Sequence, residues 1–363
     1  MKEQFFSQQN EIEQNVDLTS ESAIRKPTLL QVSLLFSVSV LLLIFVGSRV
    51  QHAEFYSGIL ITEFILVLIP ALAVLFIFRY DVKKVLRLNK LDIKNMLLIV
   101  GMLICALPLV GIVNLVNLVL IKSIFGRLII NQPPVAETGI GLIISILVIG
   151  GSAGICEEVL FRGTIQRGFE RFGAVKSVLI TAFLFSLMHV DFQKLLGIFA
   201  LGALIGFIVY RTNSIYGGML AHFTNNTLAV VLSFGANKLS KIMDATGAGN
   251  KGVTGTGDID MSFFTSLPKE QQIVIIVVWV IMALVIVGVF GGLFTLCFVK
   301  FLKRTSRIKQ DRAEENEKKF LGMWLGLLPG VAAVVFIYFA QGLKMRGIVS
   351  PVMDYILRII GLK

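Results

Sequence analysis

Long apolar runs, broken by short polar segments, set the pattern of this chain. Residues 29–47 are almost wholly apolar. A bilayer-spanning helix needs about 20 such residues, so this run is predicted to span. A short loop around Gln51 to Tyr56 follows, and a second span covers 58–78. It contains Pro70, which membrane helices tolerate because neighbouring groups re-satisfy the freed backbone. A third span covers roughly 96–121, and a loop with Pro133 and Pro134 comes after it. A fourth run starts near Gly139 and ends in the segment Cys156 to Gly163. Two short runs, about 177–190 and 195–210, are joined by Asp191 to Lys194. They are barely long enough to cross, so they are expected to line a cavity rather than meet lipid throughout. Runs at 217–235, 271–299 and 321–342 complete the set. The expected fold class is all-α, a polytopic transmembrane bundle of about nine helices.

The polar segments divide the chain. Residues 1–28 read as a polar cytoplasmic tail. Residues 29–236 form the bundle, with the chemically interesting positions at 157–226. Residues 237–270 read as an external loop containing Gly247, Gly249, Gly252, Gly255 and Gly257. No strand precedes these glycines and no GKS or GKT accompanies them, so they indicate a flexible linker rather than a phosphate cradle. Residues 271–342 hold two additional membrane helices, and 343–363 form a tail. In that tail Ser350 and Pro351 make a good helix start, with Asp354 and Arg358 four apart among apolar neighbours. An amphipathic helix on the outer interface is expected.

Charge then orients the bundle. Arg79, Lys83, Lys84, Arg87, Lys90 and Lys94 crowd one connection, interleaved with Leu86, Leu88, Leu91 and Ile93. Arg167, Arg171 and Lys176 mark a second, and Lys300 to Lys319 a third. With about nine spans all three fall on one side, which the positive-inside rule makes cytoplasmic. The N-terminus is then inside and the C-terminus outside.

Composition agrees with a membrane chain. Hydrophobic residues make up 55% and charged residues 16%, against about 25% charged in soluble domains. The mean hydropathy is +0.82. The net charge of +11 lies between apolar runs rather than on one basic face, so nucleic acid is not an expected partner. The three cysteines, Cys105, Cys156 and Cys297, match no metal or disulfide frame and read as small core residues. Cys156 abuts the acidic motif. No cleavable signal peptide is expected, because the first apolar run follows a stretch with acidic residues and no clear small-residue cleavage site.

Charged groups inside the membrane are costly and need a reason. Glu157 and Glu158 follow directly from an apolar run, and Arg162 stands four after Glu158. On a helix Glu158 and Arg162 share a face in the favourable ion-pair order. Glu157 points about 100° away and is left free to take a proton from water. The competing reading is an interfacial salt bridge that ends a helix, with Glu157 in water. The chain has three histidines. His52 lies in a short outer loop and reads as incidental. His189 stands four after Phe185, and His222 four before Asn226. A lone histidine is more often a satisfied core residue. An imidazole and a carboxamide on one face, however, can donate to a developing oxyanion.

At these residues the chain resembles a known family. Glu157-Glu158-xxx-Arg162, Phe185-xxx-His189 and His222-xxx-Asn226, in this order on successive helices, are similar to the motifs of the CAAX-protease and bacteriocin-processing (Abi) family of glutamic intramembrane endopeptidases. The resemblance covers about residues 79–236. It implies an endopeptidase with a conical active-site cavity open to the cytoplasm. It further implies that Glu157 and His189 activate water and that His222 and Asn226 bind the oxyanion. Glu158, Arg162 and Phe185 would support the site. Some relatives carry Asn where this chain has Gln193.

Three other readings compete. Glu157, His189 and His222 could bind a catalytic zinc, although HExxH is lacking and the resemblance implies no metal and no cofactor. A non-catalytic immunity or scaffold protein would use the same residues structurally. A transporter is the third, with no internal repeat to support it. For an enzyme, the partners are the bilayer and a peptide or membrane-anchored protein substrate. The short, loop-poor architecture suggests a bacterial cell-membrane protein, for which bacteriocin or pheromone precursors suit better than prenylated proteins.

Overall fold

A computed structural model describes residues 24–129, 134–246, 266–305, 317–348 and Pro351, without the side chains of 317–319. The described residues form helices and no strands. Helix α1 runs Leu29–Ala53 and α2 Phe55–Ile77. Helix α3 is Ile93–Phe125, and α4 covers Gly139–Phe172. The short α5, Ala174–Met188, is followed by α6, Leu195–Thr212, and α7, Ile215–Ala245. Helices α8, Lys269–Arg304, and α9, Glu317–Met345, complete the order.

Seven of the helical segments are long and apolar enough to cross a membrane. The expected total of about nine also includes α5, which is apolar but short, and α7, whose polar residues include His222, Asn225 and Asn226. Two boundaries move. The loop expected around Gln51 to Tyr56 shrinks to Glu54, whose carboxylate accepts from the amides of Tyr56 and Ser57 and starts α2. His52 therefore sits in the last turn of α1. The loop expected at 237–270 is helical as far as Ala245. Its glycines, the basic stretch 306–316 and most of the expected amphipathic tail lie outside the described residues.

The largest core cluster joins α1, α2, α4, α5 and α9 through Phe36, Leu75, Phe161, Phe169, Phe185 and Val334. Helix α9 meets α1 through small residues. Ser37 Oγ donates to the Gly326 carbonyl at 2.6 Å and accepts from the Gly330 amide at 3.0 Å. A Cβ at Gly330 would stand 2.7 Å from the Ser37 Cα. Close approach through small residues and a shared hydroxyl is how helices associate where the solvent is itself apolar. Helix α8 packs on α3 and α6, burying Phe301 there. Elsewhere α8 exposes Ile273, Val277, Trp279 and Leu284, as a lipid-facing helix does.

The basic elbow is tied to the bundle. Glu170, at the end of α4, receives Arg87 at 2.5 Å, Arg167 at 2.7 Å and Lys26 at 3.1 Å. Burial pulls the Lys26 ammonium below its ordinary range, opposed by the attraction of Glu170. Arg87 has a φ of 56°. Its carbonyl accepts from the Ile215 amide at 3.0 Å, which docks the elbow on the start of α7. This cluster fixes α4 relative to α7, the two helices that carry the acidic and the His/Asn motifs.

Candidate active site

Helix α4 is irregular where its charged residues lie. π turns at Ile146–Ser152 and Val159–Ile165 flank the α-helical Ala153–Glu158. Thr164 Oγ1 donates to the Val159 carbonyl at 2.9 Å, five residues back. Such π turns inside α-helices occur frequently at functional sites.

Glu158 and Arg162 are both wholly buried. Arg162 Nη1 donates to Glu158 Oε1 at 2.8 Å, and its Nη2 donates to the Gly202 carbonyl of α6 at 2.9 Å. The guanidinium stands 4.5 Å from the Phe185 ring centroid, a cation–π contact. Glu158 Oε1 has a second donor, His222 Nδ1, at 2.9 Å. A carboxylate only accepts, so the Nδ1 hydrogen belongs to His222. In the neutral ring Nε2 then carries the lone pair, and it lies 4.0 Å from Glu157 Oε2. Donation from that nitrogen to an oxyanion requires the imidazolium.

Gly218 makes this approach possible. A Cβ there would come within 2.6 Å of Glu158 Oε2, so α7 lies over Glu158 only with glycine at that place. No sequence motif singled it out.

His189 caps the C-terminus of α5. Its Nδ1 pairs with the Phe185 carbonyl at 2.9 Å. A carbonyl cannot donate, so Nδ1–H is fixed and Nε2 is again the proton acceptor. Phe185 stands between the two imidazoles, with ring centroids 4.8 Å from His189 and 5.8 Å from His222. Among the described residues no hydrogen bond joins His189 to Glu157. The chain after His189 is held from several sides. Val190 has a φ of 51°, costly for a β-branched residue. Its carbonyl accepts from Gln341 of α9 at 3.2 Å. Asn117 of α3 donates to the carbonyls of Phe192 and Gln193, each at 2.9 Å. Gln193 pairs with the backbone of Ile129 through both its amide atoms, at 2.6 and 3.0 Å. The last long helix thus braces the His189 turn, a contact the sequence could not assign.

Asn226 faces α4. Its Nδ2 donates to the Ile149 carbonyl, inside the first π turn, at 3.2 Å. One of its two amide hydrogens is committed there.

Glu157 is buried at 8% exposure, not in water. It is not alone. Glu63 of α2, 7% exposed, faces it across the α2–α4 contact. Glu63 went unremarked in the sequence, although an acid inside an otherwise apolar span was signal enough. Among the described residues no group of three or more His, Cys, Asp or Glu side chains is placed to hold a metal ion. The set Glu157, His189 and His222 is not gathered as zinc ligands are.

Residues 139–228 match the family model described as type II CAAX prenyl endopeptidase Rce1-like. This segment is similar to that family. The match runs from the start of α4 into α7 and includes Glu157, Glu158, Arg162, Phe185, His189, His222 and Asn226. Glu63 and α9 lie outside the Rce1-like segment. No curated protein and no solved structure matches the chain. An Rce1-like segment in a multi-pass membrane protein suggests a membrane protease, and the family it resembles also has non-catalytic members.

Proposed function

We propose that the chain is an intramembrane endopeptidase that hydrolyses a peptide bond in a peptide precursor or membrane-anchored protein. The observation that carries this reading is the coincidence of the Rce1-like match with a buried, charge-rich cluster at Glu157, Glu158, Arg162 and His222. Such a cluster is costly in a membrane and needs a function. Glu157 and His189 take the role of activating water. Each offers a proton acceptor, and the fixed Nδ1–H of His189 keeps its Nε2 available. His222 and Asn226 serve the oxyanion, with the His222 ring held by Glu158. Arg162 anchors Glu158 to α6 and to the Phe185 face. No cofactor enters this scheme. The basic segments 79–94 and 300–319 lie at the cytoplasmic face, with the N-terminus inside.

Purified chain in liposomes, offered precursor peptides and lipid-anchored proteins, is expected to release discrete products, and to do so equally after strong chelation. Activity lost on chelation and restored by zinc would favour a metalloprotease. No product from any substrate class would favour the non-catalytic immunity or scaffold role.

Asn226→Ala should lower kcat by about 10²–10³, the typical cost of one oxyanion donor, with KM little changed. Steady-state kinetics checks this. A raised KM at unchanged kcat would place Asn226 on the ground state instead.

A further inference from the structure

The most unusual feature near the site is a second acid that the motifs do not include. Glu63 stands in a π-helical stretch of α2, Thr62–Leu68. Helix α2 packs against α4 there, and the Glu63 side chain interacts with that of Glu157. Glu63 Oε2 and Glu157 Oε2 are each buried with no hydrogen-bond donor among the described residues. Two carboxylates can only accept, so an ionised pair would leave both oxygens orphaned and repelling. One proton between the two carboxyls supplies the missing donor and removes one charge. The other titratable or charged groups around the pair are Cys156, Glu158 and Arg162 of α4 and His222 of α7. Helix α1 contributes the neutral Gln51, whose amide donates to Thr62 at 3.0 Å. Arg162 is already bound to Glu158, and among the described residues no Lys or Arg forms a salt bridge with either acid; the nearest basic atom is His222 Nε2, 4.0 Å from Glu157 Oε2.

We infer that Glu63 and Glu157 form a carboxyl pair holding a single proton, and that Glu63 positions Glu157 and stores the proton that the leaving amine receives. This rests on the hydrolytic reading above. The step balances within the pair. Water adds its oxygen to the peptide carbonyl carbon and gives one proton to the pair, which then holds two. The C–N bond breaks as the pair returns one proton to the nitrogen, and the pair again holds one. The second water proton leaves with the new carboxyl group. A structural carboxyl would need only to donate a hydrogen bond to Glu157. A proton-storing one must also release it.

Glutamine separates these roles, because it has the same shape and donates a hydrogen bond but cannot release a proton at working pH. Glu63→Gln in full-length protein is expected to fold with unchanged or higher thermal stability. Its kcat should fall by about 10²–10⁴, the usual worth of a positioned proton donor, with KM little changed. The limb of the wild-type pH–rate profile in which the pair loses its stored proton should disappear. Glu63→Asp should recover part of kcat and the lost limb. Infrared difference spectra over a pH titration give a readout independent of turnover. A protonated-carboxyl band present in the wild type should vanish in both Glu63→Gln and Glu157→Gln. Glu63→Gln with wild-type kcat and pH profile overturns the pair while leaving the protease reading intact. No turnover by the wild type ends the hydrolytic reading and the relay with it. In that case the infrared band decides alone whether a proton is shared, and its absence overturns the pair as well.

Discussion

Glu157→Gln should give a folded, well-expressed protein whose turnover falls by about 10²–10⁴, or more if the residue also holds the water in place. Among the described residues the carboxylate makes no close salt bridge; the nearest basic atom is His222 Nε2, at 4.0 Å. It lies against Glu63 instead. Glutamine keeps the volume and can itself donate the hydrogen bond to Glu63, so thermal stability should hold. The measurement is product released per mole of enzyme in liposomes, together with a melting curve on the same preparation. A variant that turns over near the wild-type rate would remove Glu157 from the reaction. A variant that is inactive because it is unfolded would move Glu157 into the structural group.

The adjacent acid should behave oppositely. Glu158 is wholly buried and holds two donors on one oxygen, Arg162 Nη1 at 2.8 Å and His222 Nδ1 at 2.9 Å. Removing one member of a buried ion pair strands the other and costs about 3–5 kcal/mol. Glu158→Gln and Arg162→Gln should therefore each lower the melting temperature and the yield strongly. The double variant should lose less than the sum of the two, because no lone charge remains, and a double-mutant cycle reads that coupling. Additive losses would show that the pair is not coupled. Glu158→Gln should also lower activity in protein that remains folded, since His222 loses the carboxylate that orients its ring. If Glu158→Gln is stable and dead while Glu157→Gln is active, the two roles are exchanged. If all these variants keep the cellular role, the non-catalytic reading replaces the protease.

Gly218→Ala offers a check on how that charge is seated. The new methyl would press on Glu158 Oε2 and on Val209 of α6, both 2.6 Å from its position. It should destabilise by about 1–3 kcal/mol, as overpacking does, measured by thermal melting. A neutral effect would mean that α7 can move away from α4 without loss.

The sequence alone determined the helical class, most helix positions and one ion pair. The bilayer demands long apolar runs and closed backbone hydrogen bonding, so spans are written in composition. Glu158 and Arg162 were legible as partners because four residues along a helix is a local spacing, and it survives the π turn between them. The motif residues on α4, α5 and α7 could be singled out one by one, but their mutual contacts could not. Which glutamate holds His222 was decided by the approach of α7, which Gly218 permits and the Glu170 cluster of Arg87, Arg167 and Lys26 fixes. That Glu157 faces Glu63 depends on how α2 and α4 are turned about their axes where both contain π turns. The bracing of the His189 turn by Gln341 joins segments far apart in the chain. Local spacing carries no information on such pairings. They arise when helices pack, and the packing is set by small residues, helix irregularities and buried charges acting together.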